Sequence, residues 1–171
     1  DIINPIVEIG ETKFSYKDYN VTLRMSGLYQ CENASIVIES CMILNKYFNI
    51  SKQNVLNGLN NTFWPGRLEV IRKEPFIIID GAHNIDGAVA LRKSMESLCQ
   101  GKKVLMVTGM LADKDVNGII GEFTKITKDF IATEPDNPRK LTADKLAELY
   151  KVAGANCFVA PVAEDACAEV N

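Results

Sequence analysis

Two uninterrupted apolar runs, residues 76–79 (FIII) and residues 104–107 (VLMV), constrain the fold of this chain more than any other feature of its sequence. Apolar runs without polar alternation are typical of strands that are covered on both faces. Between them, residues 85–99 carry Ala88, Leu91 and Met95 at helical spacing. We therefore expect both runs to be central strands of a sheet flanked by helices.

The same alternation of strand and helix patterns extends over the second part of the chain. Strands are expected at residues 68–72, 75–80, 103–108, 130–133 and 156–160, and helices at residues 85–99, around 116–123 and around 146–150. Such alternation predicts an α/β fold with a mixed, mostly parallel sheet.

The first part of the chain follows a different pattern. Residues 2–25 mix short alternating runs with turn residues and predict two or three antiparallel strands. A helical stripe then runs from Ala34 to Phe48, and Ser51 can cap a second short helix. Residues 60–66 (NNTFWPG) are rich in turn formers, so we expect a linker there. We interpret residues 1–66 as the remnant of a larger α/β domain and residues 67–171 as a second domain.

Charge and cysteine usage exclude several classes of function. The net charge is -3 and the cations form no basic stripe, so nucleic acid is not an expected partner. Neither a membrane-spanning apolar run nor a secretory leader is present in the sequence, which favours a cytoplasmic protein. Five cysteines without a C-x-x-C pair, together with one histidine, argue against a zinc site. The thiols, Cys41 and Cys99 among them, are expected to be reduced and structural.

The most informative segment is residues 80–84 (DGAHN), which directly follows an apolar run. In open α/β sheets, ligands bind outside the carboxyl ends of strands. Asp80 could accept hydrogen bonds from ribose hydroxyls, His83 could contact a nucleotide or a carboxylate, and Asn84 could cap the next helix. From the residues alone, it is an equally good interpretation that Asp80 and His83 bind no ligand and only organise a strand-to-helix turn.

Several motifs together resemble the folylpolyglutamate synthase and dihydrofolate synthase family of the Mur ligase superfamily. They are residues 64–69 (WPGRLE), residues 80–84 (DGAHN), Gly27-Leu28-Tyr29-Gln30 with Asn33-Ala34, Gly109 with Lys114-Asp115, and Pro138-Arg139. The resemblance covers essentially the whole chain.

The resemblance implies a central P-loop ATPase domain followed by a Rossmann-like carboxyl-terminal domain, with ATP and glutamate or folate between them. By similarity, Asn33 and Arg67 would contact the nucleotide, and Asp80 would hold it from the carboxyl-terminal side. His83 would lie where nucleotide and glutamate meet, which makes His83 and Arg67 the catalytic candidates. Arg139 would contact a substrate carboxylate. No metal ligand is assigned to this chain, because the Mg²⁺ ligands of such enzymes lie mostly upstream.

The family's reaction would proceed through an acyl phosphate. ATP would phosphorylate a carboxylate of dihydropteroate or a folate, and the amine of L-glutamate would attack the product. Free carboxylate is a poor electrophile, so activation is the purpose of ATP, and catalysis would come mainly from positioning and charge neutralisation. The full enzyme is expected to be a monomer.

Each assigned residue also has a structural interpretation. Arg67 could be an exposed side chain that pairs with Glu69 or Glu74, and Asn33 could be no more than a helix-start residue. Lys114-Asp115 is best explained as a solvated helix start. Arg139 could equally well brace its loop.

Two other functions remain open. Residues 136–139 (DNPR) resemble a motif of muramyl-peptide ligases, although Gln30, Gly81 and Asn84 fit the folate enzymes better. A nucleotide-binding module that has lost the reaction is the second alternative.

The sequence departs from the family pattern at several places. Tyr29 stands where histidine is frequent, and Ile85 stands where proline is common. A G-x-x-x-x-G-K-[ST] loop and a last strand with a glycine-serine pair are not found in the sequence. We therefore expect a fragment that is inactive on its own.

Overall fold

The computed structural model describes residues 1–162, so that Cys167 and the end of the second predicted domain lie outside the described part. The backbone divides into two compact units, Asp1–Gly81 and a second that begins at Ala82. The domain boundary expected near residue 66 stays a prediction. None of the helices in the described range has both the length and the apolar composition that crossing a bilayer requires.

The first unit opens with a meander of three antiparallel strands, β1 Ile2–Glu8, β2 Glu11–Tyr16 and β3 Tyr19–Leu23. Every second side chain of β3 is buried, because successive residues of a strand face opposite sides of the sheet. The prediction of two or three antiparallel strands for residues 2–25 is confirmed.

Two helices, α1 Tyr29–Leu44 and α2 Lys52–Asn61, pack against this meander. Ser51 caps α2 as predicted, since its hydroxyl accepts a hydrogen bond from the backbone N–H of Asn54 at 3.1 Å. The apolar pattern that predicted α1 continues past the end of the helix. The helix ends at Leu44, and the Phe48 side chain is 62% exposed.

The last two strands of the first unit, β4 Glu69–Lys73 and β5 Phe76–Ile79, form an antiparallel pair. The prediction that residues 76–79 are a central strand was wrong, because among the described pairings β5 contacts β4 alone. Phe76 and Ile79 are 39% and 44% exposed. An apolar run indicates that a strand is at least partly shielded from water, but it does not indicate how many other strands pair with it.

The second unit is an α/β layer structure. Its elements are α3 Ile85–Leu98, β6 Leu105–Thr108, α4 Val116–Ile126, β7 Asp129–Ala132, α5 Ala143–Val152 and β8 Asn156–Val159. The three strands form a parallel sheet in the order β6-β7-β8, and the helices share a core with it. The predicted α/β class, with a parallel sheet flanked by helices, is confirmed.

The strand at the centre of this sheet is not the one that the apolar runs indicated. β7 lies in the middle, and Phe130, Ile131 and Ala132 are at most 2% exposed. β6, expected to be central from residues 104–107, lies at an edge with Leu105 42% exposed. Strand order follows from the helical crossovers, which a run of four residues does not encode.

A stacked pair of aromatic rings fills the centre of the second unit. The ring centroids of Phe130 and Tyr150 lie 4.0 Å apart, and both side chains are fully buried. The hydroxyl of Thr108 donates a hydrogen bond to the Tyr150 oxygen at 3.1 Å. Burial raises the pKa of Tyr150 far above its ordinary value, so the phenol is neutral and the pair is a core contact.

Truncation of this pair tests the packing. We expect Phe130→Ala to lower the free energy of unfolding by about 3–5 kcal/mol, because it removes a stacked ring from a closed core. Urea unfolding followed by circular dichroism measures the change. As a control, Val152→Ala alters a side chain that is 87% exposed and should change stability by less than about 0.5 kcal/mol. Equal effects of the two substitutions would contradict the described packing.

Candidate functional site

Arg67 lies in a turn of unusual backbone conformation that precedes β4. The residues on either side of it, Gly66 and Leu68, have φ angles of 68° and 47°. Glycine adopts this left-handed region at little cost, whereas for leucine it is rare and needs support from the surrounding structure. The turn exposes the Arg67 side chain to solvent and buries Leu68, which is 2% exposed.

Three hydrogen bonds hold this turn in place. The N–H of Leu68 donates to Oδ2 of Asp80 at 2.9 Å, and the N–H of Gly66 donates to Oε2 of Glu69 at 2.8 Å. The N–H of Gly81 donates to the carbonyl oxygen of Gly66 at 2.8 Å. Asp80 therefore accepts a hydrogen bond in the turn that presents Arg67, which is not the strand-to-helix turn that the sequence suggested. Contact of Asp80 with a nucleotide stays a prediction.

A cleft of about 700 Å³ opens in the first unit, lined by parts of β3, α1, α2 and the residues around Arg67. Asn33 lines the same cleft, so the structure brings two of the predicted nucleotide-contacting residues together. The side-chain amide of Asn33 donates a hydrogen bond to Oε1 of Gln30 at 3.2 Å, and Gln30 is 6% exposed. A buried partner thus orients Asn33 towards the space that the cleft encloses.

Tyr29 also lines this cleft, although the sequence singled it out only as a departure from the family pattern. Burial raises the pKa of Tyr29, and the negative charge of Asp80 raises it further. The charge of Arg67 and a hydrogen bond with Gln30 act in the opposite direction. The charges of two predicted site residues, Asp80 and Arg67, therefore both affect the pKa of Tyr29. The signal that could have identified Tyr29 is its position four residues before Asn33, on the same face of α1.

The remaining site candidates, His83 and Arg139, belong to the second unit. His83 is exposed and lies one residue before Asn84, whose Oδ1 accepts a hydrogen bond from the N–H of Gly87 at 2.8 Å. Asn84 is therefore the N-cap of α3, as predicted. The contact of His83 with nucleotide or glutamate stays a prediction.

Arg139 lies at the carboxyl edge of the parallel sheet, in the loop that follows β7. Its Nη1 lies 2.6 Å from Oδ2 of Asp113, in the loop after β6, and both side chains are exposed. Its carbonyl oxygen accepts a hydrogen bond from the N–H of Ala112 at 2.8 Å. The contacts that the structure shows for Arg139 are the ones that brace the loop. Its contact with a substrate carboxylate stays a prediction.

The pair Lys114-Asp115 lies at the start of a helix, as the structural interpretation held. Asp115 is the N-cap of α4, and its Oδ1 accepts a hydrogen bond from the N–H of Gly118 at 3.0 Å. A helix cap accounts for this aspartate without any ligand.

Comparison with known proteins places this architecture in a family. A family model described as Mur ligase, glutamate ligase domain, matches residues 66–171. The chain belongs to this family. The folylpolyglutamate synthase of Lacticaseibacillus casei is 31% identical over 137 residues, which are 75% of this chain and 32% of that protein.

Solved structures of related ligases extend the likeness to both units. A Mycobacterium tuberculosis folylpolyglutamate synthase complexed with ADP superposes with a TM-score of 0.85 at 25% identity, over 97% of this chain and 38% of that one. A bifunctional folylpolyglutamate synthase/dihydrofolate synthase with Mn, AMPPNP and L-glutamate bound gives a TM-score of 0.70 at 25% identity, over 92% and 37%. The chain thus spans roughly a third of the length of the ligases it matches.

Potential metal ligands do not cluster within residues 1–162. No three histidine, cysteine, aspartate or glutamate side chains in that range converge to hold a metal ion. The thiols at Cys31, Cys41, Cys99 and Cys157 are free. Burial raises the pKa of Cys31, Cys99 and Cys157, which keeps these thiols protonated at neutral pH.

Two glycine substitutions test the conformation of the Arg67 turn. Neither Gly66 nor Gly58 has an atom within 4 Å of an added methyl group, but only Gly66 has a positive φ. We expect Gly66→Ala to lower the free energy of unfolding by about 1 kcal/mol. The control Gly58→Ala, within α2, should raise it by about 0.5–1 kcal/mol through helix propensity. Urea unfolding measures both, and stabilisation by Gly66→Ala would refute the left-handed turn.

Proposed function

We propose that this chain is part of an ATP-dependent ligase that adds L-glutamate to dihydropteroate or to folates. One observation carries the proposal: the turn that presents Arg67 is fastened to Asp80 and borders a cleft that Asn33 also lines. The names of the relatives support the same reaction, and one structural neighbour holds ADP.

The chemistry of the cleft suits a nucleotide. Arg67 offers a planar, positively charged guanidinium with five donors, which matches phosphate oxygens in pairs. Its turn is held by hydrogen bonds within the protein, so little reorganisation opposes binding. We assign Asn33, Arg67, Asp80 and His83 to ATP, with Arg67 at the phosphates, where a fixed positive charge stabilises phosphoryl transfer.

The binding sites of glutamate and of the folate or dihydropteroate that it is joined to rest on fewer observations. His83 and Arg139 are the proposed partners of the substrate carboxylates. A structural neighbour with Mn, AMPPNP and L-glutamate bound supports a divalent cation and glutamate as further ligands of such an enzyme. We place the Mg²⁺ ligands mostly in the amino-terminal part of the proposed enzyme. A cytoplasmic, monomeric enzyme is part of the same proposal.

A muramyl-peptide ligase is the second candidate. Residues 136–139 (DNPR) favour it, and the matching family model is described as a Mur ligase domain. The named relatives favour the folate branch.

Site variants of the full-length enzyme test the proposal. We expect Arg67→Ala and Asp80→Ala each to lower kcat/KM for glutamate addition about 100- to 1000-fold, because the first removes a charge contact with the nucleotide and the second removes the acceptor that holds the Arg67 turn. The assay follows ADP release with dihydropteroate, tetrahydrofolate and a muramyl nucleotide offered in parallel, and the preferred acceptor decides between the two branches.

Matched controls come from the exposed face of α5. Lys145→Ala and Asp144→Ala remove the same charges from a surface outside the cleft and should leave the rate within about twofold of wild type. Near-normal rates for both site variants would contradict the assigned site. Nucleotide binding without glutamate transfer to any of the three acceptors would leave the non-catalytic module as the better description.

A further inference from the structure

Tyr29 occupies a place in the cleft that neither the sequence motifs nor the relatives assign. It is the first residue of α1 and is half-buried, and its side chain lines the cleft together with Asn33 and Arg67. Tyr29 and Asn33 lie four positions apart in one helix, so their side chains lie on the same face, one above the other. A flat ring and a side-chain amide therefore border the same space.

The ring of Tyr29 is held by its neighbours. A methyl group added at Gly27 would lie 2.6 Å from Cε1 of Tyr29 and 3.3 Å from Cδ1 of Leu68. Gly27 has a φ of 118°, so this position favours glycine for its backbone as well as for space. The ring thus rests against the backbone at Gly27, beside the side chain of the residue that follows Arg67.

The loop behind the ring is itself anchored to the first sheet. The hydroxyl of Ser26 accepts a hydrogen bond from the N–H of Gly10 at 2.7 Å, and Thr12 donates to the carbonyl oxygen of Met25 at 2.8 Å. Ser26 is 2% exposed and Thr12 is fully buried. A ring with such support is a fixed surface, and binding against it costs little side-chain entropy.

The shape and polarity of this corner of the cleft match a purine base. An asparagine amide offers one donor and one acceptor, the pair that matches the edge of adenine, and Gln30 orients this amide. An aromatic ring offers a flat face for stacking of a base. Arg67, on the same cleft, offers the charge that phosphates require.

We propose that Tyr29 is a nucleotide-binding residue, whose ring packs against the adenine of the ATP that Asn33 and Arg67 bind. The inference rests on the proposed function, because it takes ATP as the occupant of the cleft. Tyr29 contributes through its ring, and its hydroxyl is dispensable. The phenol carries no charge at neutral pH, since burial raises its pKa, and an uncharged ring stacks without added desolvation of an ion.

The experiment is a calorimetric titration of the full-length enzyme with ADP and, separately, with inorganic tripolyphosphate, which has no base. We expect Tyr29→Leu to weaken ADP binding about 5- to 100-fold and to leave tripolyphosphate binding within twofold. Tyr29→Phe, which keeps the ring, should bind both ligands within about threefold of wild type. In steady-state assays, Tyr29→Leu should raise KM for ATP with little change in kcat.

Two controls separate stacking from a structural role. Arg67→Ala should weaken both ADP and tripolyphosphate, because it removes a phosphate contact. Tyr29→Gln also lacks a ring but is compatible with the first position of a helix, so it must reproduce the Tyr29→Leu result, and it serves alone if Tyr29→Leu does not fold.

The possible results distinguish this inference from the proposed function. Unchanged ADP affinity in both ringless variants, or equal weakening of ADP and tripolyphosphate, would overturn the role of Tyr29 and leave the ligase proposal standing. Wild-type enzyme that binds neither ADP nor tripolyphosphate would overturn the ligase proposal itself.

Discussion

The hydrogen bond from the N–H of Leu68 to the carboxylate of Asp80 is the constraint on which the candidate site depends. Pairing of β4 with β5 sets Glu69 opposite Ile79, so the next residue outward on each strand, Leu68 and Asp80, must also be neighbours. A left-handed leucine costs about 1–2 kcal/mol, and a hydrogen bond to a charged acceptor contributes about 1.5–3 kcal/mol. The bond therefore stabilises a conformation that Leu68 would otherwise rarely adopt, and Arg67 takes its position from that conformation.

This constraint extends from the hairpin to the cleft through direct packing. Leu68 borders Gly27, Gly27 supports the Tyr29 ring, and Tyr29 begins the helix that carries Asn33. Each contact joins segments that are distant in sequence, so the turn, the loop and the helix start form one preorganised surface. A ligand that bridges Asn33 and Arg67 meets groups whose positions the fold has already determined, which is the condition for strong electrostatic binding.

The sequence predicted the elements whose signals are local. The cap residues Ser51 and Asn84, the antiparallel meander and the α/β alternation all follow from side chains within a few positions of one another. The central position predicted for two strands was wrong, because residues 76–79 and residues 104–107 have the composition of central strands but lie at edges among the described pairings. The partners of a strand depend on crossovers that span tens of residues, and no local pattern records them.

The site was predictable in part for the same reason. Arg67 and Asp80 lie in short motifs, whereas the participation of Tyr29 depends on contacts with Gly27 and Leu68 that only the fold creates. Arg139 is the opposite case. The structure shows that it pairs with Asp113, but this ion pair does not determine the function of Arg139. An exposed ion pair such as Arg139 with Asp113 contributes at most about 1 kcal/mol. A substrate carboxylate could therefore displace Asp113 at little cost, so the loop-bracing contact in the structure and the proposed contact with a substrate carboxylate are compatible.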